Sequence, residues 1–491
     1  MQKYQKFIFL ILFQAALASL SQSRNINPRL MSLGDCQLVF SDRDNDLNGY
    51  DFGNNPAALF ADQKQMWMAA RLFGNHTSGE FRRPLDPKSQ TQVRLQAEGI
   101  KPINHNSVFR GFIQYATEEL HEVDKALEYE PYHDIFTPID TTRGTFDYYG
   151  PRLGMEYSRQ LFSWLAIGGR IAYQLQDGLK REPSKTKIDG RMIHGTLGAY
   201  LTPNQRLGLG LAYRPFSIQY RLNANKSFLL DYPIIYKFFG DSLLVKNDKV
   251  GTYDRTTRGE GFMADASIAY QLSESIALAG AFGYSLEDKK IDEGSSEGQR
   301  DIDDYGSWQK NGPWAKIQSR MRYPKLPATL GLSLDWRSWN SWARTPRFQT
   351  IFEEMEGGWL GYGLGVGLDK PNFPVSCGFE YHAQSFEEEK RNYYQNYKWN
   401  RQNTVRLYKF GCQLRLRDSI TLRLGGATGD EVAEYHLSFQ PVRVLRMSAG
   451  MSTHFKQLHF DLTALYERIR HESGDGEREQ ILMILEVVQW K

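Results

Sequence analysis

Beyond its N-terminus the sequence has no apolar run of the ~20 residues that a transmembrane helix needs. Charged residues make up 24% of the chain, yet the formal net charge is only +3. A helical membrane protein is therefore excluded. A membrane β-barrel is not excluded, because apolar and polar residues alternate along its strands and the average hydropathy of the chain stays low. Without a basic tail, the composition gives no reason to expect nucleic acid as a partner.

Cysteine is also scarce: Cys36, Cys377 and Cys412 are too few for a disulfide scaffold. A hairpin register that places Cys377 opposite Cys412 also pairs Phe379 with Phe410, so the register is self-consistent. Directly opposed residues in a sheet are seldom well placed for a bridge. We therefore expect two apolar thiols packed side by side, with a disulfide as the alternative, and no partner for Cys36.

Motifs that carry catalysis are missing as well. The sequence contains no Gly-x-Ser-x-Gly, His-Glu-x-x-His, Cys-x-x-Cys or phosphate-loop pattern, and its ten histidines are scattered. We therefore expect neither an enzyme nor a cofactor. A lipase-like triad on an outer surface stays open but has no positive support.

The N-terminus is typical of an exported protein. Lys3 and Lys6 precede an apolar run from Phe7 to Leu20, followed by Ser- and Gln-rich residues. This pattern predicts a secretory signal peptide over residues 1–23. Residues 24–62 are rich in Asn and Asp and predict turns and short helix.

From residue 63 to residue 491 the chain alternates with a period of two. Tyr408, Phe410 and Leu414, for example, alternate with Lys409 and Arg415, which predicts a strand with one apolar face. The same hairpin recurs along the chain. The sequence predicts eighteen strands, with fourteen or sixteen as alternatives, beginning near residues 64, 89, 106, 145, 163, 189, 205, 259, 275, 312, 327, 356, 373, 402, 418, 446, 457 and 480.

Short turns alternate with connections that are long and polar. The long connections are expected at residues 121–143, 222–260, 287–311, 339–356 and 386–402. Alternation of short and long connections along the chain is typical of outer-membrane barrels, which have short turns at the periplasmic end and longer loops at the external end. The predicted fold is therefore all-β: a transmembrane antiparallel up-and-down β-barrel of about 14–18 strands.

The two faces of each strand support this fold. One face is uncharged and tends to end in Tyr or Trp, as in the interfacial aromatic belts of barrels. The other face is small or charged, which is typical of a lumen. The residues expected to line the lumen are Arg152, Glu156, Arg170, Arg214, Asp335, Arg337, Glu380, Lys409, Arg415, Arg423, Asp461 and Glu467. Because both signs occur, mutual pairing is favoured over an ion filter.

The N-terminal segment and the repeated hairpin resemble the outer-membrane long-chain fatty acid transporter superfamily (FadL-like) and its PorV-like relatives in protein secretion. The matching residues are Met31 and Gly34, within Met-Ser-Leu-Gly, and Asn55, Pro56 and Ala57. The glycines usual after the first motif are replaced here by Asp and Cys. The resemblance implies that residues 24–62 form a hatch inside the barrel.

Two further patterns leave alternatives open. Asp44, Asp46 and Asn48 begin like an EF-hand calcium loop, but Asn55 stands where the bidentate Glu belongs, so an Asx-rich turn is favoured. The tyrosine-rich stretch 391–399 either grips a ligand or partner, or is an ordinary wettable external loop.

The expected function is uptake of a small hydrophobic molecule across a Gram-negative-type outer membrane. Outer-membrane lipid and the barrel assembly machinery are the expected partners. The alternative is a non-transporting barrel that serves as a scaffold or shuttle for secreted or surface proteins.

Overall fold

A computed structural model describes residues 31–40, 55–62, 66–128, 136–182, 185–204, 206–224, 236–239, 243–246, 253–273, 275–295, 303–323, 327–345, 350–369, 373–417, 419–435, 438–471 and 476–490. The signal peptide expected at residues 1–23 lies outside this description. Among the described residues, no helix is long and apolar enough to cross a membrane.

The chain folds as a closed antiparallel β-barrel of eighteen strands, the number expected from the sequence. The first half of the wall consists of β1 (Trp67–Gly79), β2 (Ser89–Asn104), β3 (Ser107–Ala126), β4 (Pro138–Phe162), β5 (Leu165–Lys180), β6 (Thr186–Asn204) and β7 (Leu207–Ala224). A short hairpin, β8 (Tyr236–Phe239) and β9 (Leu243–Lys246), lies outside the wall order and contacts β4.

The wall continues with β10 (Tyr253–Ser273), β11 (Ile276–Ser295), β12 (Asp303–Tyr323), β13 (Ala328–Thr345), β14 (Thr350–Asp369), β15 (Val375–Asn392), β16 (Tyr397–Arg417), β17 (Ile420–Tyr435), β18 (Ser438–Phe455), β19 (Leu458–His471) and β20 (Glu477–Trp490). β1 pairs with β2 on one side and with β20 on the other, which closes the barrel. Closure leaves the wall without an unpaired edge.

Most of the segments expected to be long loops are strand instead. β15 runs to Asn392 and β16 begins at Tyr397, so only a four-residue turn remains of the loop expected at residues 386–402. The wall strands are 13 to 25 residues long, and all exceed the ~10 residues that a tilted strand needs to cross a bilayer. The wall therefore extends well beyond the membrane.

The reason for this error is visible along β7. Nearer the short turn, Leu211 and Tyr213 are exposed on the outer face, as a lipid-facing surface requires. Farther along, Phe216, Ile218 and Leu222 are buried on the inner face, and the residues between them are polar. The alternation inverts because this part of the strand has water outside, and its polar outer face resembles a loop in the sequence.

Residues 31–40 and 55–62 precede the wall and form short helices. α1 spans Gln37–Phe40, a 3-10 helix spans Pro56–Ala58, and α2 spans Leu59–Asp62. Asn55 caps the 3-10 helix, because its side chain accepts a hydrogen bond from the Ala57 N–H at 3.0 Å. The two stretches are called the N-terminal segment below.

The expectation for the cysteines is wrong in one respect. The register places Cys377 opposite Cys412 as expected, together with Phe379 opposite Phe410. The two cysteines nevertheless form a disulfide. Their Cα atoms are 4.3 Å apart, close to the ~4.5 Å of a non-hydrogen-bonded antiparallel pair, where opposed side chains come nearest to each other. Cys36 is free and buried.

Candidate functional site

The N-terminal segment lies against a groove of inward-facing glycines in β16 and β17. Gly34 has a φ of +68°, and a Cβ there would lie 2.4 Å from the carbonyl oxygen of Phe410. A Cβ at Gly425 would lie 2.2 Å from the Gly34 nitrogen, and one at Gly411 would lie 2.4 Å from the Leu33 carbonyl oxygen. Only glycine on both surfaces allows this backbone-to-backbone approach.

Glu380 of β15 anchors the start of α1. This fully buried carboxylate accepts hydrogen bonds from the backbone N–H groups of Leu38 at 2.6 Å and Val39 at 3.1 Å. These are first-turn N–H groups that have no partner within a helix. His382 lies 2.8 Å from the other oxygen of the carboxylate. From the neighbouring strand, the ammonium group of Lys409 donates to the carbonyl oxygen of Asp35 at 3.3 Å.

The second stretch contacts the opposite side of the wall. The side-chain amide of Asn55 donates to the carbonyl oxygens of Ala199 on β6, at 2.7 Å, and Leu211 on β7, at 3.0 Å. The hydroxyl of Ser158 on β4 donates to the Ala57 carbonyl oxygen at 3.0 Å. A buried amide that satisfies carbonyl groups of two strands fixes this stretch in place.

Both groups of contacts lie at the same depth in the barrel. They fall within eight residues of the strand ends at the short turns, as at Gly198 against Asn204 and at Lys409 against Arg417. Residues 31–40 contact strands from β13 to β18, and residues 55–62 contact strands from β3 to β7. The N-terminal segment therefore touches both sides of the lumen near the short-turn end.

All of the charged residues expected at the lumen lie on the strand face opposite the exposed apolar residues. The fully or nearly fully buried ones are Glu156, Arg214, Arg337, Glu380, Arg423, Asp461 and Glu467, and the partly buried ones are Arg152, Arg170, Asp335, Lys409 and Arg415.

Several of these charges form buried ion pairs. Arg423 lies 2.6 Å from Asp461, and Arg214 pairs with Asp265. A buried charge without a partner costs several kcal/mol, so pairing of this kind stabilises the polar part of the lumen.

A second network crosses the seam where the barrel closes. Arg71 on β1 lies 2.5 Å from Glu486 on β20 and 2.8 Å from Glu98 on β2. Glu98 also accepts a hydrogen bond from the guanidinium group of Arg110 on β3, at 2.6 Å. The seam is therefore joined by charge-assisted hydrogen bonds as well as by its backbone ladder.

Outward of these ion pairs, the interior contains two apolar clusters together with further buried ion pairs, such as Lys180 with Asp140 at 2.8 Å and Lys390 with Glu353 at 3.0 Å. A first cluster contains Met192, Phe216, Ile218 and Met263, with Tyr220 and Trp314 packed against it. A second, farther from the short turns, contains Leu85, Leu120, Val123, Ala126, Leu127, Ile139, Phe146, Tyr148, Ile188, Leu222, Ala224 and Tyr253. We call the two together the outer apolar clusters. Along β7, Arg214, which pairs with Asp265 of β10, lies between Leu211, a contact of the N-terminal segment, and Phe216 of the first cluster.

The calcium candidate, Asp44, Asp46 and Asn48, lies outside the described residues. Within the part of the chain that the structure describes, no group of three or more His, Cys, Asp or Glu side chains is arranged to hold a metal ion.

Residues 56–337 match a family model described as "Family of unknown function (DUF6850)". The match covers more than half of the 491-residue chain. The chain belongs to this family. No curated protein matches the chain.

Among solved structures, the chain is similar to the toluene transporter TodX of Pseudomonas putida, with 10% identity, 94% of this chain and 97% of that chain covered, and a TM-score of 0.36. The monoaromatic hydrocarbon channel CymD gives 10% identity, coverage of 94% and 98%, and a TM-score of 0.35. The copper transporter OprC gives 10% identity, coverage of 86% and 80%, and a TM-score of 0.47. The chain folds as the closed antiparallel β-barrel that the FadL-like resemblance implies. Likeness at this level carries no argument about cargo.

Sequence reasoning missed several residues that shape this site. It placed Glu380 in the lumen but did not find its role at the start of α1. It also missed the inward glycines, although Gly365, Gly367, Gly411 and Gly425 all stand at inward positions of apolar-out strands. Repeated glycine on one face of a strand is a signal of close backbone approach.

Proposed function

We propose that the chain is an outer-membrane channel for small hydrophobic molecules and that residues 24–62 act as its hatch. The observation that carries the proposal is the inverted alternation beyond the membrane, which places the outer apolar clusters inside the barrel. Apolar clusters inside a barrel suit a hydrophobic ligand better than an ion.

The route starts at the outer apolar clusters, where a ligand leaves water. It then passes the ion-paired layer and reaches the N-terminal segment. That segment is held by hydrogen bonds at Glu380 and Asn55 and by close packing on glycine, not by a covalent bond. Displacement of a few hydrogen bonds, each worth about 1 kcal/mol net, is a feasible gating step.

Vesicle uptake of labelled alkylbenzenes and medium-chain alkanes tests the proposal. Vesicles that contain the protein should load faster than protein-free vesicles. Phe216→Gln places an amide among the apolar clusters and should slow uptake on the order of tenfold, since a hydrophobic ligand that packs against the amide must remove its hydrogen-bonding water at a cost of ~1–3 kcal/mol. The matched control is Ser217→Gln, which changes the exposed outer face of the same strand. Uptake no faster than in protein-free vesicles would end the transport proposal.

A scaffold or shuttle for secreted proteins is the second candidate. Tyr393, Tyr394 and Tyr397 are about half exposed at the tip of the β15–β16 hairpin, and aromatic residues of this kind are enriched in protein interfaces. Truncation of these tyrosines should abolish partner capture and leave hydrocarbon uptake unchanged if the tip serves this function.

A further inference from the structure

Two histidines face each other at the short-turn end of the barrel. His454 on β18 is directly opposite His459 on β19, and the turn Lys456–Gln457 joins the two strands. The backbone N–H of His454 donates to Ser419 at 3.0 Å, on the side of β17. The pair with His459 is therefore a non-hydrogen-bonded one, in which opposed side chains come closest.

Their ring nitrogens have a separation that suits a shared ion. Nδ1 of His459 lies 3.3 Å from Nδ1 and 3.2 Å from Nε2 of His454. Two imidazole nitrogens bound at ~2.0–2.1 Å to a tetrahedral zinc ion lie about 3.3–3.4 Å apart. The ring centroids are 4.3 Å apart and the ring planes are inclined by 41°, so both rings must turn about their side-chain bonds before their in-plane lone pairs point at one cation.

A buried carboxylate lies near His459. Nε2 of this histidine lies 3.9 Å from Oδ2 of Asp461, which is held in turn by Arg423 and Ser452. Nδ1 of His459 is the ring nitrogen that faces His454, and it is therefore the candidate metal-binding atom.

The pair also lies at the mouth of the lumen. Along β18, Ser452 and Gly450 share the inner face with His454, and a Cβ at Gly450 would lie 2.6 Å from the Cβ of Ser32. His454 is exposed, so a cation reaches it from the short-turn side without passing the N-terminal segment.

We propose that His454 and His459 form a binding site for a borderline divalent transition-metal ion, of the class of Zn²⁺, Cu²⁺ or Ni²⁺. Imidazole nitrogen is a preferred ligand of these ions. Because the two histidines supply only two ligands, water completes the coordination. The site goes beyond hydrocarbon uptake and does not depend on it.

The test uses the full chain in detergent, without a histidine tag and stripped of metal by a chelator. Zn²⁺ is titrated by calorimetry, and Cu²⁺ is added for electron paramagnetic resonance, which counts coordinated nitrogens. The unmodified protein should bind one Zn²⁺ at this site, and the Cu²⁺ spectrum should show two nitrogen ligands. His454→Gln and His459→Gln should each weaken binding at least about tenfold and leave one nitrogen ligand.

His105→Gln is the matched control, because His105 is exposed in the turn between β2 and β3 at the same end of the barrel. Heat-modifiable migration in gels verifies that each variant is folded. Equal Zn²⁺ affinity in the double variant and the unmodified protein would overturn the proposal. Absence of Zn²⁺ binding by the unmodified protein would also overturn it and would leave the pair as an imidazole–imidazole contact.

Discussion

Glu380 shows how a single side chain couples the N-terminal segment to the wall. Its carboxylate accepts hydrogen bonds from the backbone N–H groups of Leu38 and Val39, which lie 342 and 341 positions away in the chain. Alternation along β15 is sufficient to place Glu380 in the lumen. It cannot reveal the partners, because they come from a segment without periodicity and meet the strand only after the barrel closes.

Cys36 provides a prediction at the same scale. Burial raises the pKa of its thiol, and the nearby carboxylate of Glu380 raises it further. A raised pKa keeps the thiol protonated, and a protonated, buried thiol is a poor nucleophile. We expect no labelling by a maleimide at pH 7 in the folded protein and full labelling after denaturation. Rapid labelling in the folded state would show that the N-terminal segment does not pack as described.

The strands explain both the success and the error of the sequence analysis. Within the membrane, the alternation of outward apolar and inward polar residues identifies each strand. For strands that follow a short turn, the sequence predicts the first residue to within three positions, as at Leu207 and Ile276. Beyond the membrane the outer face is polar, and the same period then resembles a loop. Hydrophobicity alone cannot distinguish these cases, because the solvent outside the strand changes along its length.

The disulfide between β15 and β16 gives a prediction for these elements. A thiol count in denaturant without reductant should find one free thiol among the three cysteines, and a count after reduction should find three. Cys377→Ser should also lower the stability of the barrel, by up to about 4 kcal/mol in the chain-entropy account of a loop of this length. A count of three free thiols without reductant would contradict the bridge.

The glycine groove supports a second prediction for these elements. Gly425→Ala adds a methyl group that would collide with the backbone of Gly34, so the N-terminal segment must shift at a cost of ~1–3 kcal/mol. Hydrogen exchange at Leu38 and Val39 should become faster. Gly74→Ala is the matched control, because nothing lies within 4 Å of its added methyl group. Unchanged exchange in the Gly425 variant would show that the groove does not hold the segment.

For the whole molecule, the barrel class follows from the sequence, and closure requires an even number of alternating strands when both ends lie on one side. The sequence predicts eighteen strands but leaves fourteen and sixteen as alternatives. The interior does not follow from it. Which charges pair, where apolar side chains line the lumen, and where the N-terminal segment docks depend on contacts between strands far apart in sequence. The sequence therefore predicts the wall well and its contents poorly.

The account depends most on movement of the N-terminal segment, and a reversible lock tests that movement. In a Cys36→Ala background, Leu38→Cys with Gly365→Cys joins α1 to β14, because a Cβ at Gly365 would lie 3.1 Å from the Cβ of Leu38. This separation is slightly below the ~3.5–4.5 Å of a disulfide, so a small shift permits the bridge. The Cys36→Ala parent, treated with the same oxidant and reductant, is the control.

The measurement is the rate at which vesicles that carry the locked protein take up a labelled alkylbenzene. We predict that oxidation reduces uptake to the rate of protein-free vesicles, that reduction restores it, and that the parent is unaffected by either treatment. Equal uptake in the oxidised and reduced states would contradict the account, because the N-terminal segment would then not gate the lumen.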